Sequence, residues 1–373
     1  MSEAPETRWR EVIARYRSAA PVINAYFEGL VSKFPRAVVT LLSKLAGDVA
    51  QWHTLSPDAR RELRALADGI GIDFGRAVVL NVLYELREFG PKNNVTGDGA
   101  GEPPSFGACS SLVGLDADGV MSHHRNLDWQ LPDAVRNLTF RCDFYAHAGD
   151  AAPVYAGACF PGYVGVLSGS RLHQYAVTIN ERMEGGNPIV DALEGIFLGR
   201  WAPTHLVRHV LASAATFDDA VAAFREVHLA APVYLILSGA QKGEGLFIER
   251  ARTSVHAERK VGDVNADGLS STNYVFKTNY DVDVAPPAAD DRRAYGVRYL
   301  RALGANATRA DFARVVQRWP IWNFHTSYYV EAVPSEGIFD VLIRLKGDAP
   351  PRPPSPPPTR DVRATWTGTS TTT

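Results

Sequence analysis

Three residues of this 373-residue chain, Cys109, Arg125 and Asp128, have types and spacing that suit nucleophilic catalysis. The stretches Cys109-Ser-Ser-Leu-Val-Gly-Leu115 and Val120-Met-Ser-His-His-Arg-Asn-Leu-Asp-Trp129 read as the strands of a hairpin. They are joined through Asp116-Ala-Asp-Gly119, residues that favour turns. Two registers are open: Cys109 lies opposite Asn126 if Asp116 pairs with Gly119, and opposite Asp128 if the loop is Asp118-Gly119. In both, Arg125 and Asp128 fall within a few residues of the sulfur, so a thiol, a guanidinium and a carboxylate converge. A nearby cation lowers a thiol pKa from about 8.5, and a carboxylate orients such a cation. A base is missing, because His123 and His124 point to opposite faces of one strand and neither pairs with Cys109 in the first register. If the backbone is cut between Ala108 and Cys109, the freed α-amine, with an ordinary pKa of about 7.7–8.0, sits on the nucleophile's own residue and can take its proton.

Other candidates carry less. Cys142 and Cys159 read as small buried hydrophobes. His205 and His209 have the i, i+4 spacing of metal ligands, but they lack the intervening Glu and a third ligand, so they read as a surface pair and no metal or other cofactor is expected. Trp322, Phe324, Tyr328 and Tyr329 suit either core packing or the lining of an acyl channel.

The elements that must hold these residues come in blocks. Apolar residues recur at three and four residues from Arg8 to Glu88, so residues 1–90 read as a helical segment with helices over 58–68 and 75–87. Residues 91–108 mix Gly and Pro with Asn, Asp and Ser, which reads as an exposed linker ending at the proposed cut. Beyond it the period turns to two: Leu138, Phe140, Cys142 and Phe144 alternate with Thr139, Arg141 and Asp143. Short strands are expected at 154–158, 163–167 and 175–179 in a meander, helices over 188–228, a hairpin from 233–237 and 246–249, helices over 292–318, and final strands near Ser327 and Phe339. This layered α+β pattern occupies 109–348, and the Pro- and Thr-rich residues 349–373 read as a disordered tail.

Cys109-Ser-Ser-Leu-Val followed by Arg125-Asn-Leu-Asp128 resembles the start of the catalytic subunit in N-terminal-nucleophile cysteine amidases of the acid ceramidase and N-acylethanolamine acid amidase family. The segments Phe160-Pro-Gly-Tyr-Val-Gly-Val-Leu-Ser-Gly169, Thr178-Ile-Asn-Glu-Arg182, Ala231-Pro-Val-Tyr-Leu-Ile-Leu237, Thr278-Asn-Tyr-Asp281 and Asp290-Asp-Arg-Arg293 follow in the family's order and approximate spacing. The resemblance implies a four-layer αββα sandwich and a precursor that cuts itself at Ala108–Cys109 into two subunits that stay together. It makes Cys109 the nucleophile, its freed amine the base, Arg125 and Asp128 the residues that orient and tune it, and Asn279 an oxyanion donor. Arg292 becomes an electrostatic support, and Glu181 and Asn180 become substrate-pocket residues. The implied reaction hydrolyses the amide of an N-acyl lipid, N-acylethanolamine or ceramide-like, through a thioester. The alternatives are an amidase of the choloylglycine hydrolase or penicillin acylase type and a non-catalytic protein on the same fold. Where the family has Gly before the Arg, this chain has His124, which is expected to crowd the strand and alter the pocket mouth.

Composition narrows the partners. With 39 basic against 41 acidic groups and no basic block, the chain has no field to draw in nucleic acid. Three cysteines cannot build a disulfide framework, and residues 1–10 are polar, so a cytoplasmic location and an optimum nearer neutral than acid pH are expected. A small N-acyl amide is the expected substrate, with transient contact at a membrane surface left open. The charge-free stretch 151–170 holds Pro153, Pro161 and four glycines, and it reads as two strands rather than a membrane span.

Overall fold

The computed structural model describes residues 3–32, 36–47, 55–81, 108–129, 131–182, 200–287 and 290–350. The linker expected at 91–107, the end of the helix expected over 75–87, the first part of the helical stretch expected from 188, and the tail from 351 lie outside the described residues.

Two antiparallel sheets form the centre. The first has the strand order β10 (Ser270–Ser271), β11 (Tyr274–Lys277), β1 (Ala108–Leu115), β2 (Met121–Asp128), β12 (Thr326–Val333) and β13 (Ile338–Ile343). The second is a meander in chain order: β3 (Phe140–Phe144), β4 (Tyr155–Cys159), β5 (Ser168–Arg171), β6 (Tyr175–Glu181), β7 (Val233–Gly239), β8 (Gly245–Arg250) and β9 (Val255–Lys260). Side chains of β1 meet those of β6 between the sheets, as where Ser111 Oγ lies 2.9 Å from Thr178 Oγ1.

Helices cover the outer faces. The second sheet carries α7 (Pro203–Ser213), which buries Leu206, Val207, Val210 and Leu211, and α8 (Phe217–Glu226), which starts in a Thr216/Asp219 capping box. The first sheet carries α9 (Arg292–Leu303) and α10 (Arg309–Val316), the latter driving Phe312, Val315 and Val316 into the core. The expected four-layer αββα sandwich is therefore the fold. Among the described residues no helix is long and apolar enough to cross a membrane.

The helical segment packs against the β3–β4 edge through α1 (Arg10–Tyr16), α2 (Ala20–Val31), α3 (Arg36–Leu45), α4 (Pro57–Ile70) and α5 (Phe74–Asn81). Tyr16 stacks on Phe140 at 5.0 Å, and Trp9 meets the ring of Phe144 edge-on at 5.7 Å. Glu62 of α4, 1% exposed, takes hydrogen bonds from Arg8 Nη1 (2.6 Å) and Trp9 Nε1 (2.8 Å) and an ion pair from Arg208 of α7 (2.6 Å). Asn81, at the end of α5, donates to Gly162 O and accepts from Val164 N, both at 2.7 Å.

Two expectations fail here. Residues 163–167 are not a strand; that strand lies at Ser168–Arg171. The apolar run is instead tied to helices: Val164 N goes to Asn81, Val166 N goes to Thr204 O at 3.0 Å, and a Cβ on Gly165 would stand 2.7 Å from Thr204 Oγ1. The His205/His209 pair is not a surface pair either. His209 is exposed, whereas His205 is 5% exposed and burial pushes its pKa down to about 4.

Candidate active site

The hairpin that carries Cys109 takes neither expected register. Asp116 N bonds to Val120 O (3.0 Å), leaving a loop of three residues that ends on Gly119 at φ 84°, while Asp116 Oδ1 accepts from the amides of Asp118 and Val120. An odd loop shifts the pairing by one, so Cys109 faces Leu127 and Ala108 faces Asp128. Side chains opposite one another share a face. Cys109 and Arg125 therefore point together between the sheets, and Asp128 points the other way, toward the helices.

Arg125 is fully buried at the base of this site. Its Nη2 reaches Cys109 Sγ at 3.3 Å and Ile179 O at 2.8 Å; its Nη1 reaches Ser168 Oγ at 2.8 Å and Tyr328 OH at 2.7 Å. Burial pushes the Cys109 thiol pKa up and Arg125 pulls it down, the net being upward while the Ala108–Cys109 peptide is intact. The site then holds a neutral thiol beside a fixed cation.

Asp128 faces a second arginine. Arg292 Nη1 donates to Cys109 O at 2.9 Å and stands 3.5 Å from Asp128 Oδ2. Asp290 grips Arg292 through Nε (2.8 Å) and Nη2 (2.6 Å), and Tyr280 OH holds Asp290. Thr326 Oγ1 donates to Asp128 at 2.6 Å. Burial nonetheless outweighs Arg292 and these bonds and pushes the Asp128 carboxyl up to about 7.

That shift has a testable sign. Between about pH 4 and 7 the folded chain holds a proton on Asp128 that the unfolded chain has lost, so this group's contribution to stability falls as pH rises through the window. Asp128→Asn keeps an oxygen for Thr326 and removes the charge, so it is expected to flatten the pH dependence by on the order of 3 kcal/mol. Urea midpoints of both chains at pH 4.5 and 8 check this; equal slopes would contradict it.

Asn279 meets the backbone of Cys109. Its Oδ1 accepts from Cys109 N at 2.7 Å and from Arg292 Nη2 at 3.3 Å, while its Nδ2 donates to Glu181 O at 2.8 Å. Glu181 is half-buried at the end of β6. Asn180 is buried between the sheets, with Oδ1 taken by Ser111 Oγ and Nδ2 by the carbonyls of Lys277 and Thr278, so its amide joins the sheets. His124 does not crowd the site: it is buried on the helix face of β2, bonded to Tyr329 OH and Ser122 Oγ, with its pKa pushed by burial down to about 3. The wrong expectation came from the register, which decides the face on which position 124 lies. His123 does share the Cys109 face, but it is bonded to Thr178 and Ser238, away from the sulfur.

Ser168, Thr326 and Asp290, which complete the site, went unassigned in the sequence, and Tyr328, read there as core or acyl-channel lining, is buried and bonds Arg125 through its hydroxyl. Asp290 and Ser168 sit inside the quoted segments and were legible there, whereas Thr326 had no signal of its own. Next to the site, an apolar cavity of about 60 Å³ opens between Ile23 and Tyr26 of α2, Leu80 of α5, and Trp129, Leu138 and Phe160 of the sandwich. Phe160 lies 6.2 Å from the ring of Tyr328, so one aromatic layer separates the cavity from Arg125.

No family model matches the sequence. The N-acylethanolamine-hydrolyzing acid amidase of Caenorhabditis elegans is 28% identical over 335 residues, 90% of this chain and 87% of that protein. Acid ceramidase of Balaenoptera acutorostrata scammoni is 26% identical over 361 residues, 91% of this chain and 83% of that protein. The solved structure of a Caenorhabditis elegans N-acylethanolamine-hydrolyzing acid amidase ortholog aligns with a TM-score of 0.52 at 30% identity, over 61% of this chain and 93% of that one. The chain belongs to the N-acylethanolamine acid amidase and acid ceramidase family. In this family member the nucleophile candidate, its guanidinium and the Asp-Asp-Arg-Arg motif come from β1, β2 and the start of α9, so the first sheet and the helix packed on it bring them within bonding distance.

Proposed function

We infer that the chain is a self-processing cysteine amidase that hydrolyses the amide bond of N-acyl lipids of the N-acylethanolamine or ceramide kind. The observation that carries this reading is the buried Arg125 guanidinium 3.3 Å from Cys109 Sγ at the start of β1, with Asn279 Oδ1 on the nucleophile's own nitrogen. In the maturation step Sγ attacks the Ala108 carbonyl, the Ala108–Cys109 C–N bond breaks, and the leaving nitrogen takes the thiol proton. Water then cleaves the thioester and leaves an α-amine on Cys109. The cut before Cys109 leaves the helical segment 1–90 with its linker 91–108 in one subunit and the catalytic domain 109–348 in the other.

In the cut enzyme the amine accepts the thiol proton, the thiolate attacks the substrate carbonyl, and the ammonium returns that proton to the leaving amine. Water, deprotonated by the amine, releases the acid. Asn279 Oδ1 is placed to hold the amine in line, and Arg125 to stabilise the thiolate. Asn279 Nδ2 gives one N–H to Glu181 O, and its second N–H is the one to serve as oxyanion donor. Because the base is an α-amine of pKa about 7.7–8.0, activity is expected to rise toward neutral pH; an optimum below about 5 would contradict it.

The test is intact mass and N-terminal sequencing of the purified chain, with hydrolysis of N-acylethanolamines, ceramides, bile-salt amides and penicillins side by side. A new N-terminus at Cys109 with turnover of the N-acyl lipids is expected. A chain that stays uncut and hydrolyses none of them overturns the reading.

A further inference from the structure

Away from the nucleophile, at the far edge of the second sheet, four side chains gather that the amidase chemistry does not use. Strand β9 carries one more residue than its partner: Glu249 pairs with Ala257 and Arg250 with Val255, so His256 is the extra residue of a bulge. A bulge re-aims the side chain at that position. His256 turns toward the loop after β11, where its Nε2 stands 3.6 Å from Asp281 Oδ2, 3.6 Å from Asp283 Oδ1 and 3.9 Å from Glu249 Oε2.

These spacings are too long for hydrogen bonds, which close to about 2.7–3.2 Å. They come close to the ligand-to-ligand edge of a tetrahedral metal site, about 3.3–3.4 Å for bonds of about 2.0–2.1 Å. One ligand atom each from Glu249, His256 and Asp281 lies within 4.8 Å of the other two. An independent observation points inward. Glu249 is 0% exposed, and its Oε1 is taken by Lys277 Nζ and Val282 N, but its Oε2, buried and facing His256, accepts no hydrogen bond. Such an acceptor costs stability when left bare, and a cation would satisfy it.

We propose that Glu249, His256, Asp281 and the exposed Asp283 form a binding site for a divalent transition metal ion of the zinc type. The imidazole selects against Mg²⁺ and Ca²⁺, which prefer all-oxygen shells, and three or four ligands of N and O type suit Zn²⁺. Charge sets the strength. Lys277 already balances Glu249 and Arg182 balances Asp281, bonding both its oxygens, so the site offers a dication little net negative charge and binds it less tightly than a bare carboxylate cluster would. His256 is 39% exposed and Asp283 66%, which leaves an open path for entry. The ion would join an edge of the second sheet to the loop that begins with Asn279, two residues before Asp281, and would thereby stiffen the segment that holds the Cys109 nitrogen.

The experiment is equilibrium dialysis of the full chain against ZnCl₂, with thermal unfolding with and without the metal, for wild type, His256→Ala and Asp283→Asn. Both replaced residues are partly exposed and outside the core, so both variants fold. One zinc per chain is expected in the wild type, with a rise in Tm on binding and an affinity at least about ten-fold weaker in His256→Ala. Asp283→Asn is expected to weaken it less. Cobalt in place of zinc should give the visible spectrum of a tetrahedral site, absent in His256→Ala. No zinc bound by the wild type, binding unchanged in His256→Ala, or displacement by equal Mg²⁺ or Ca²⁺ overturns the proposal.

Discussion

Cys109→Ala is expected to stay a single uncut chain of about the precursor's mass and to lose turnover by on the order of 10⁶-fold, the loss seen when an enzyme's covalent nucleophile is removed. The structure predicts that this variant still folds. Cys109 is buried, alanine fits its place, and Arg125 keeps Ile179 O, Ser168 and Tyr328 as partners once the sulfur is gone. A folded, inactive, uncut chain therefore separates chemistry from stability. Cys109→Ser, which keeps a weaker nucleophile at the same point, is expected to cut slowly. Circular dichroism, intact mass and an N-acyl amide assay on the three chains decide it. A Cys109→Ala chain that still matures and hydrolyses would show that the nucleophile lies elsewhere.

Replacing Glu62 should cost more stability than any other single change at the helical segment. Burial works to raise its pKa, but Arg208 and the bonds from Trp9 and Arg8 outweigh that, and its carboxyl stays below the ordinary value. Removing the carboxylate leaves Arg208, itself 7% exposed, with Tyr155 OH, Val164 O and the rings of Trp9 and Phe144, and no counter-charge among these partners. Breaking one half of a buried pair typically costs about 3–5 kcal/mol, because the other charge stays buried. For Glu62→Ala that loss falls on the contact between the helical segment and the sandwich. After a cut near residue 108 nothing covalent would replace it. Once matured, the variant is expected to shed its helical piece on size exclusion under conditions where wild type holds it. Glu62→Gln, which keeps an acceptor for Trp9, should lose less. Co-elution of both pieces at wild-type urea midpoints in Glu62→Ala would sink the expectation.

Cys109, Arg125 and Arg292 were legible in the sequence because each lies in a short local pattern. The hairpin brings Arg125 onto the strand beside Cys109 whatever the loop length, and the Asp-Asp-Arg-Arg run holds Arg292 beside its own partner, Asp290. The face on which each side chain falls was not legible. Asp116-Ala-Asp-Gly119 suits two- and three-residue loops alike, and the choice between them rests on Asp116 Oδ1 capping two amides and on Gly119 at positive φ. Contacts made across long stretches of chain were also hidden. Tyr328 and Thr326 reach Arg125 and Asp128 from about two hundred residues away, where no local pattern marks them. The strand expected at 163–167 failed for the same reason, since an apolar run looks alike whether a sheet takes its amides or Asn81 and Thr204 of two helices take those of Val164 and Val166.

The three-residue loop between β1 and β2 also limits how this protein can be edited. With β1 fixed in its sheet, deleting or adding one residue between Asp116 and Val120 would turn β2 over. Arg125 would then face α10, and the Asn126 side chain, which now donates to the carbonyls of Val316 and Ile321, would be forced against the thiol. Residues lost or gained in twos leave the pairing parity alone. Loop lengths in functional descendants of this chain should therefore differ by even steps, a constraint of counting that no single side chain in the loop reveals.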